Sequence, residues 1–278
     1  MPGRLYVVAT PIGNLDDLSP RARSTLSEVA LIACEDTRVT SKLLARHQLT
    51  VPLFPLHAHS SDEDRGRILD RLIRGEDVAL VSDAGAPLIS DPGRDLVADA
   101  LARNVAVIPI PGPSAVTTAL MASGVDAGRF VFLGFLPRDP TQKRELLLPF
   151  TELPLALVLF ESKERLVETL VDARATLGDR SACVARELTK KFETFERGRL
   201  SELEKKFEGE VKGELTLVIG PPEERAEPAL SLEVLRVKLA ELLEQGISAS
   251  EAAKLVAGAY HVPKREVYRL ALELNTKR

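Results

Sequence analysis

Short apolar runs alternate with amphipathic stretches through the first half of the chain. Leu5–Ala9, Ala30–Cys34, Val51–Leu56, Val78–Val81 and Val105–Ile110 read as buried strands. Between them the spacing turns helical. Ser19-Pro20 offers an N-cap serine followed by proline at the first helical position. In Asp62–Arg74, Ile68, Leu69, Leu72 and Ile73 recur at helical spacing, and Gly75 can close the helix. Strands alternating with helices need crossover connections, which predicts a largely parallel sheet.

The pattern breaks at Gly134–Thr141, where Gly134, Pro137 and Pro140 read as a linker. A second α/β unit follows, with strands near Leu155–Phe160, Ala182–Arg186 and Leu215–Ile219 and a helix over Lys163–Leu177. After Gly220-Pro221-Pro222 comes a polar stretch, then three short helices at Leu232–Gln245, Ser248–Ala259 and Lys264–Leu274. Ser248 and Glu251 carry the signature of a capping box. The predicted organisation is an N-terminal α/β domain over 1–136, a second α/β domain over 137–222 and a helical domain over 223–278.

Composition changes this picture little. The 278 residues, 45% hydrophobic and 28% charged, suit a globular chain with a large core. Cys34 and Cys183 lie far apart and form no CxxC or Cys/His cluster, so no disulfide framework or metal site is expected, and a reducing compartment fits. The apolar run Leu5–Ala9 is too short for a secretory signal, and no stretch reaches the ~18 apolar residues of a membrane span. A cytoplasmic protein without membrane contact is expected. The net charge of −4 argues against nonspecific wrapping of nucleic acid, so any such binding must rest on local patches.

In a parallel sheet, ligands bind beyond the carboxyl ends of the strands. The first strand leads into Thr10-Pro11-Ile12-Gly13-Asn14, which is neither a dinucleotide fingerprint nor a P-loop. The fourth leads into Ser82–Gly93, twelve residues rich in Gly, Pro, Ser and Asp, more than a simple turn needs. The fifth leads into Pro111-Gly112-Pro113-Ser114-Ala115. Each loop has a plain structural reading: a tight turn, a solvated loop capped by Ser90 or Asp91, and an N-cap at Ser114. Together they would converge on one crevice and form a cofactor pocket. Glu35-Asp36-Thr37-Arg38 follows the second strand and fits either a cleft lining or an acidic helix start with local ion pairing. Arg186–Lys191 ends in two lysines and fits either a solvated charge run or a site. His57-Ala58-His59 has a spacing some metal sites use, but no third ligand is evident.

Val81-Ser82-Asp83-Ala84-Gly85-Ala86-Pro87-Leu88-Ile89-Ser90-Asp91-Pro92-Gly93 resembles the signature of bacterial small-subunit ribosomal RNA (cytidine) 2′-O-methyltransferases of the tetrapyrrole-methylase superfamily. Tyr6–Asn14, Ala33–Arg38, Ile110–Ala115, Phe132–Pro137, Arg186–Lys190 and Lys264–Tyr268 are also similar. Ala86, Arg94 and Ser162-Lys163-Glu164-Arg165 depart from the family's usual residues, and the last removes a histidine expected there. The resemblance implies two α/β domains with an active-site cleft between them, a small C-terminal helical unit, and a homodimer. It also implies S-adenosylmethionine as cofactor, held by Pro11 and Ile12, by Ser82, Asp83, Ala84, Gly85 and Ala86, by Pro113, Ser114 and Ala115, and by Phe160 and Glu161.

Displacement at a sulfonium carbon needs collinear alignment rather than a metal. A base or a cation would help a weakly acidic hydroxyl. Glu187 and Lys190 lead the catalytic candidates, with Glu35, Asp36 and Arg38 beside them, and Glu161 and Arg186 are further options. RNA contacts are expected from Arg138, Lys143 and Arg144 near the linker and from Lys264, Arg265 and Arg269. From Ser248 onward six basic residues face three acidic ones, in a unit reminiscent of helix-turn-helix modules. The aromatic content of 4% argues against a stacking-type RNA module and favours a folded particle recognised by shape; that this partner is the assembled small ribosomal subunit is what the resemblance implies. Other readings stay open: a relative that methylates a small molecule or a protein side chain, a noncatalytic nucleic-acid-binding regulator, or a nicotinamide oxidoreductase.

Overall fold

The apolar runs of the first half become a five-stranded parallel sheet. β1 (Arg4–Val8), β2 (Leu31–Cys34), β3 (Leu53–Pro55), β4 (Val78–Val81) and β5 (Ala106–Ile110) lie in the order β3-β2-β4-β1-β5. The computed structural model describes residues 1–57, 60–89, 93–209, 212–223, 232–260 and 262–275. By its contacts the chain divides into Met1–Pro222 and Glu223–Arg278. β2 and β4 are buried along their whole length, as central strands covered on both faces must be.

Helices α1 (Pro20–Glu28), α2 (Thr37–Arg46), α3 (Asp62–Ile73) and α4 (Arg94–Ala102) connect these strands. Local chemistry fixes their starts. Ser19 Oγ accepts the Ala22 amide at 3.1 Å, and Ser61 and Asp64 form a reciprocal capping box. α3 buries Ile68, Leu69 and Leu72, while Ile73 at its end is half exposed. α4 starts from Gly93 at φ +113°; the expected caps Ser90 and Asp91 lie outside the described residues.

α5 (Ala115–Ser123) leaves β5 and packs Val116 and Ala119 against Val158, Cys183 and Val218 of the second sheet. That sheet contains β6 (Phe130–Phe135), β7 (Ala156–Glu161), β8 (Ser181–Arg186), β9 (Thr194–Arg199) and β10 (Leu215–Ile219), in the order β6-β7-β10-β8-β9. β6 runs parallel to β7, whereas β10 is antiparallel to both β7 and β8, and β9 to β8. Helices α6 (Pro140–Leu147), α7 (Leu166–Leu177) and α8 (Leu200–Lys206) complete this layer.

Two expectations need correction. Gly134 and Phe135 belong to β6 rather than to a linker, and Gly134 takes φ +64° at a bulge where the register shifts. The second sheet therefore begins at Phe130, ahead of the expected boundary at 136. Lys143, expected on an RNA-facing surface, has a fully buried side chain, its ammonium 2.9 Å from Asp172 and 3.4 Å from Glu168. Its neighbour Arg144 is spent on the other oxygen of Asp172 at 2.8 Å.

In the second unit, α9 (Leu232–Glu244), α10 (Ala249–Ala259) and α11 (Lys264–Asn275) bury one cluster built on Leu239, Ala252, Ala253, Val267 and Ala271. Ser248 Oγ accepts the Glu251 amide at 3.3 Å, the forward half of the expected capping box. Lys264, Arg265 and Arg269 are exposed along α11. Over 223–278 as a whole, nine Lys and Arg residues meet nine Asp and Glu, so the basic excess is confined to the last two helices and the tail.

Candidate active site

β4, β1 and β5 are neighbours, so the loops that follow them leave the sheet side by side. The first two are tied together. The Thr10 amide donates to the Gly85 carbonyl at 2.9 Å and the Gly85 amide to that of Thr10 at 3.1 Å. Thr10 Oγ1 donates to the Ser82 carbonyl, and Ser82 Oγ reaches the Gly85 carbonyl at 3.3 Å. Gly85 stands at φ +80°, where an L side chain is strained, and a Cβ there would come 3.2 Å from Ile12. Ser114 precedes α5 with N-cap backbone geometry, yet its hydroxyl makes no capping bond.

The second sheet presents matching ends. Because β6, β7 and β8 run in one direction and β10 in the other, the carboxyl ends of the first three meet the start of the fourth. Together the two sets of loops enclose a cleft of about 740 Å³. Ile12, Ala84, Gly85, Ala86, Ser114 and Ala115 line one side; Phe160, Glu161, Glu187 and Lys190 line the other. Of the remaining expected cofactor residues, Pro11 and Ser82 are buried behind this lining, Asp83 Oδ1 accepts the Asp36 amide at 3.0 Å, and Pro113 stands beside Ser114 without lining the cleft.

Glu161 has both carboxylate oxygens engaged, one by the Ser162 amide at 2.8 Å and the other by Thr169 Oγ1 at 2.6 Å. The loop after β8 is held more tightly still. Glu187 and Thr189 both adopt positive φ, 53° and 63°, and for a β-branched threonine this is a strained conformation. It is fixed by the Asn14 amide on Thr189 Oγ1 at 2.9 Å and by Glu193 Oε1 on the Thr189 amide at 2.8 Å. Glu187 Oε1 accepts the Glu214 amide at 3.0 Å and Lys190 Nζ at 2.9 Å. The Glu214 amide, then the Lys190 ammonium, hold the Glu187 carboxyl below the usual carboxylate range. Burial works against the charge of Lys190, but its bonds to Glu187 and Glu214 outweigh that and raise it above an ordinary lysine. Two of its three N–H donors are used there; the third has no partner among the described residues.

The residues after β2 do not join this lining. Asp36 caps α2 and forms an ion pair with Arg38 at 2.6 Å; the Arg38 guanidinium and amide lower its carboxyl to about 2. That is the helix-start reading of this segment. Glu35 is pushed up, chiefly by burial and then by Asp83, but it stands outside the cleft lining. Arg186 Nε donates to Thr194 Oγ1 at 3.1 Å, across the β8–β9 ladder.

Several cleft residues lay beyond the sequence reading. Phe135 is 57% exposed, with its ring 5.6 Å from that of Phe160, which is itself packed edge-on against Phe132 at 4.9 Å. It sits inside Phe132–Pro137, a segment that carried the resemblance. Ser162, Lys163 and Glu164, the departure from the family pattern, also line the cleft. Gly213, Glu214 and Thr216 enter from the start of β10. Among the described residues no group of three or more His, Cys, Asp or Glu side chains could hold a metal, and no helix is long and apolar enough to cross a membrane. Ala58 and His59 lie outside the described residues.

Two layers of this topology, with small-residue loops facing an aromatic and charged wall, define a methylase of the tetrapyrrole (corrin/porphyrin) class, whose family profile matches residues 4–204. Residues 228–275 match an RsmI C-terminal HTH domain. The ribosomal RNA small subunit methyltransferase I of Synechocystis sp. is 46% identical over 276 residues, covering 98% of each chain. That of Pseudomonas aeruginosa is 44% identical over 280 residues, covering 99% of each. The chain belongs to this ribosomal RNA small subunit methyltransferase I family within the tetrapyrrole methylases. Solved structures share the fold at lower identity. Diphthine synthase superposes with a TM-score of 0.62 at 17% identity over 78% of this chain and 90% of its own. Uroporphyrin-III C-methyl transferase from Thermus thermophilus, complexed with S-adenyl homocysteine, does so with 0.57 at 20% identity over 78% and 97%.

Proposed function

We propose that this protein transfers the methyl group of S-adenosylmethionine to the ribose 2′-oxygen of a cytidine in small-subunit ribosomal RNA. Identity of 46% and 44% over nearly the whole chain to methyltransferases of that RNA carries the reading, and the cleft is compatible with it. A cavity of about 740 Å³ lies within the range of small-ligand sites and leaves room for a cofactor beside a nucleotide sugar. The cofactor fits the residues present. Ala84, Gly85, Ala86 and Ala115 allow close approach to backbone, the Ser114 hydroxyl is uncommitted by its helix, and Phe135 and Phe160 offer apolar faces. When bound, S-adenosylmethionine supplies a methyl group already activated by cationic sulfur.

The chain's own groups then have two tasks. The paired loops 10–13 and 84–86 set the cofactor side, while Glu187 and Lys190 set the acceptor side. Lys190 keeps its ammonium charged and can direct its remaining N–H at the ribose oxygen, stabilising negative charge as the proton leaves. Glu187 is ionised before the transfer; the Lys190 ammonium and the Glu214 amide both bond to Oε1, which leaves Oε2 to accept that proton. Burial pushes the Cys183 thiol up to about 11, so it is no rival nucleophile. Within this proposal the enzyme works in the cytoplasm as a homodimer on assembled small subunits, with Arg138 and the exposed Lys264, Arg265 and Arg269 as RNA contacts.

The test is methyl transfer to small subunits lacking the modification, with digestion to nucleosides and mass spectrometry. Label in 2′-O-methylcytidine is the expected result. Label in another nucleoside, or in protein, would sink the assignment.

The two halves meet where Gly13 lies against the loop after β8. A Cβ there would come 2.6 Å from Lys190 Cγ, 2.7 Å from the Leu188 carbonyl and 2.7 Å from Thr189 Oγ1. Side chains can yield, but a carbonyl moves only with its loop. Gly13→Ala is expected to displace Lys190 and lower kcat by roughly ten- to a hundredfold, because misplacement of about 1 Å suffices for that. Unchanged kcat in single-turnover measurements would show that the loop tolerates the shift.

A further inference from the structure

Just past Lys190, the loop after β8 makes a turn whose apex the reaction leaves unused. The Glu193 amide donates to the Lys190 carbonyl at 3.1 Å, which puts Lys191 and Phe192 at the apex. Phe192 is 67% exposed, the most exposed aromatic side chain among the described residues. The Lys191 ammonium stands 5.7 Å from its ring centroid, within cation–π range. A lone exposed apolar residue is ordinary and needs no explanation. This one differs in its setting. Lys190, the first residue of the turn, lines the cleft, and the apex follows it one and two residues further along the chain. The turn is also held in one shape by the strained residues Glu187 and Thr189 and by the Asn14 and Glu193 bonds. A contact presented on a rigid loop loses little freedom when it binds.

We infer that the Lys190–Glu193 turn receives a nucleotide neighbouring the methylated one, whose base stacks on the Phe192 ring while Lys191 meets its phosphate. The inference rests on the RNA substrate proposed above and adds a contact at the mouth of the cleft. The 2′-oxygen of a stacked nucleotide is displayed in the minor groove, but a ribose taken into the cleft beside the cofactor draws its nucleotide out of the stack, and the adjoining base then loses a stacking partner. An exposed ring beside a cation is the platform that single-stranded nucleic acid uses, and it tolerates any base. A second copy of this chain could cover the same ring, so the test must separate the two.

Full-length wild type, Phe192→Ala, Phe192→Trp and Lys191→Ala would be compared in methylation of unmodified small subunits at several salt concentrations. Binding of S-adenosylhomocysteine, thermal unfolding and sedimentation would be followed in parallel. Phe192→Ala is expected to raise KM for the subunit about tenfold, as loss of one base–aromatic stack does. Phe192→Trp should restore it to within about threefold, and Lys191→Ala should flatten the salt dependence. S-adenosylhomocysteine affinity and the unfolding temperature should not move. An unchanged KM in Phe192→Ala, an equal loss in Phe192→Trp, or a change of oligomeric state would overturn the inference. If the wild type itself methylates no RNA, the proposed function fails instead, and direct subunit binding by the same variants still decides the role of the turn.

Discussion

Lys190→Met is expected to lower kcat for methyl transfer by about a hundred- to a thousandfold, the usual loss when one donor aimed at developing charge is removed. The ammonium sits 2.9 Å from Glu187 Oε1 and 3.1 Å from Glu214 Oε2, with one N–H uncommitted among the described residues. Methionine keeps the apolar stem and deletes all three donors. Lys190→Arg restores charge in a different geometry and should recover part of the rate. Cofactor affinity separates chemistry from collapse of the loop: S-adenosylhomocysteine should bind Lys190→Met within a few-fold of wild type. The pH profile gives an independent check. Glu187 is held below its ordinary range, so it loses its charge only in acid. Lys190 is raised, so it loses its charge only above an ordinary lysine. Neither titrates between about pH 6 and 9, and the rate over that span should show no step from this pair. A wild-type step near neutrality that disappears in Glu187→Gln would show that the carboxyl has a far higher pKa in the working complex.

How much of this could be read from residues alone depended on which faces each element buries. β2 and β4 are apolar on both faces and were unmistakable. β9, Thr194-Phe195-Glu196-Arg197-Gly198-Arg199, pairs only with β8 at the edge of its sheet, and its polar residues hid it. The end of β6, Gly134 and Phe135, reads as part of a linker because its bulge glycine and the nearby prolines carry the same signal as a turn. At the site, the rule that ligands lie beyond the carboxyl ends of parallel strands found the loops after β1, β4 and β5. It could not find the start of β10, which enters the cleft at its amino end because that strand is antiparallel. Long-range partners were the least visible of all. Asp36 and Arg38 lie two residues apart, and their pairing was one of the two readings offered. Lys143 and Asp172 are separated by 29 residues, and a lysine on a polar-looking helix reads as solvent-facing until its partner is known.

That hidden pair gives the largest expected effect on stability. Lys143 is fully buried and Asp172 is 3% exposed, while Arg144 closes the other carboxylate oxygen at 2.8 Å. The bridge joins α6 to α7 on the outer face of the second sheet. Asp172→Ala leaves the Lys143 ammonium buried beside Glu168 alone, at 3.4 Å. Breaking a buried pair on one side costs about 3–5 kcal/mol, because a charge is left without compensation. For a unit of this size that corresponds to a fall in Tm of roughly 6–20 °C. The pH dependence follows from the sign of the shift. Burial alone would raise the Asp172 carboxyl, but hydrogen bonds from Lys143 and Arg144 more than offset it and leave it lowered. Its contribution is therefore present above the unfolded value of about 3.9 and is lost as pH falls through the lower folded value. Urea unfolding at pH 7 should separate wild type from Asp172→Ala by the full difference, and the gap should narrow below about pH 4. Lys143→Met with Asp172→Leu, which replaces the charges by apolar volume, should recover most of the loss. A double variant as unstable as Asp172→Ala would mean that the ion pair itself, rather than the avoidance of an unpaired charge, holds α6 on α7.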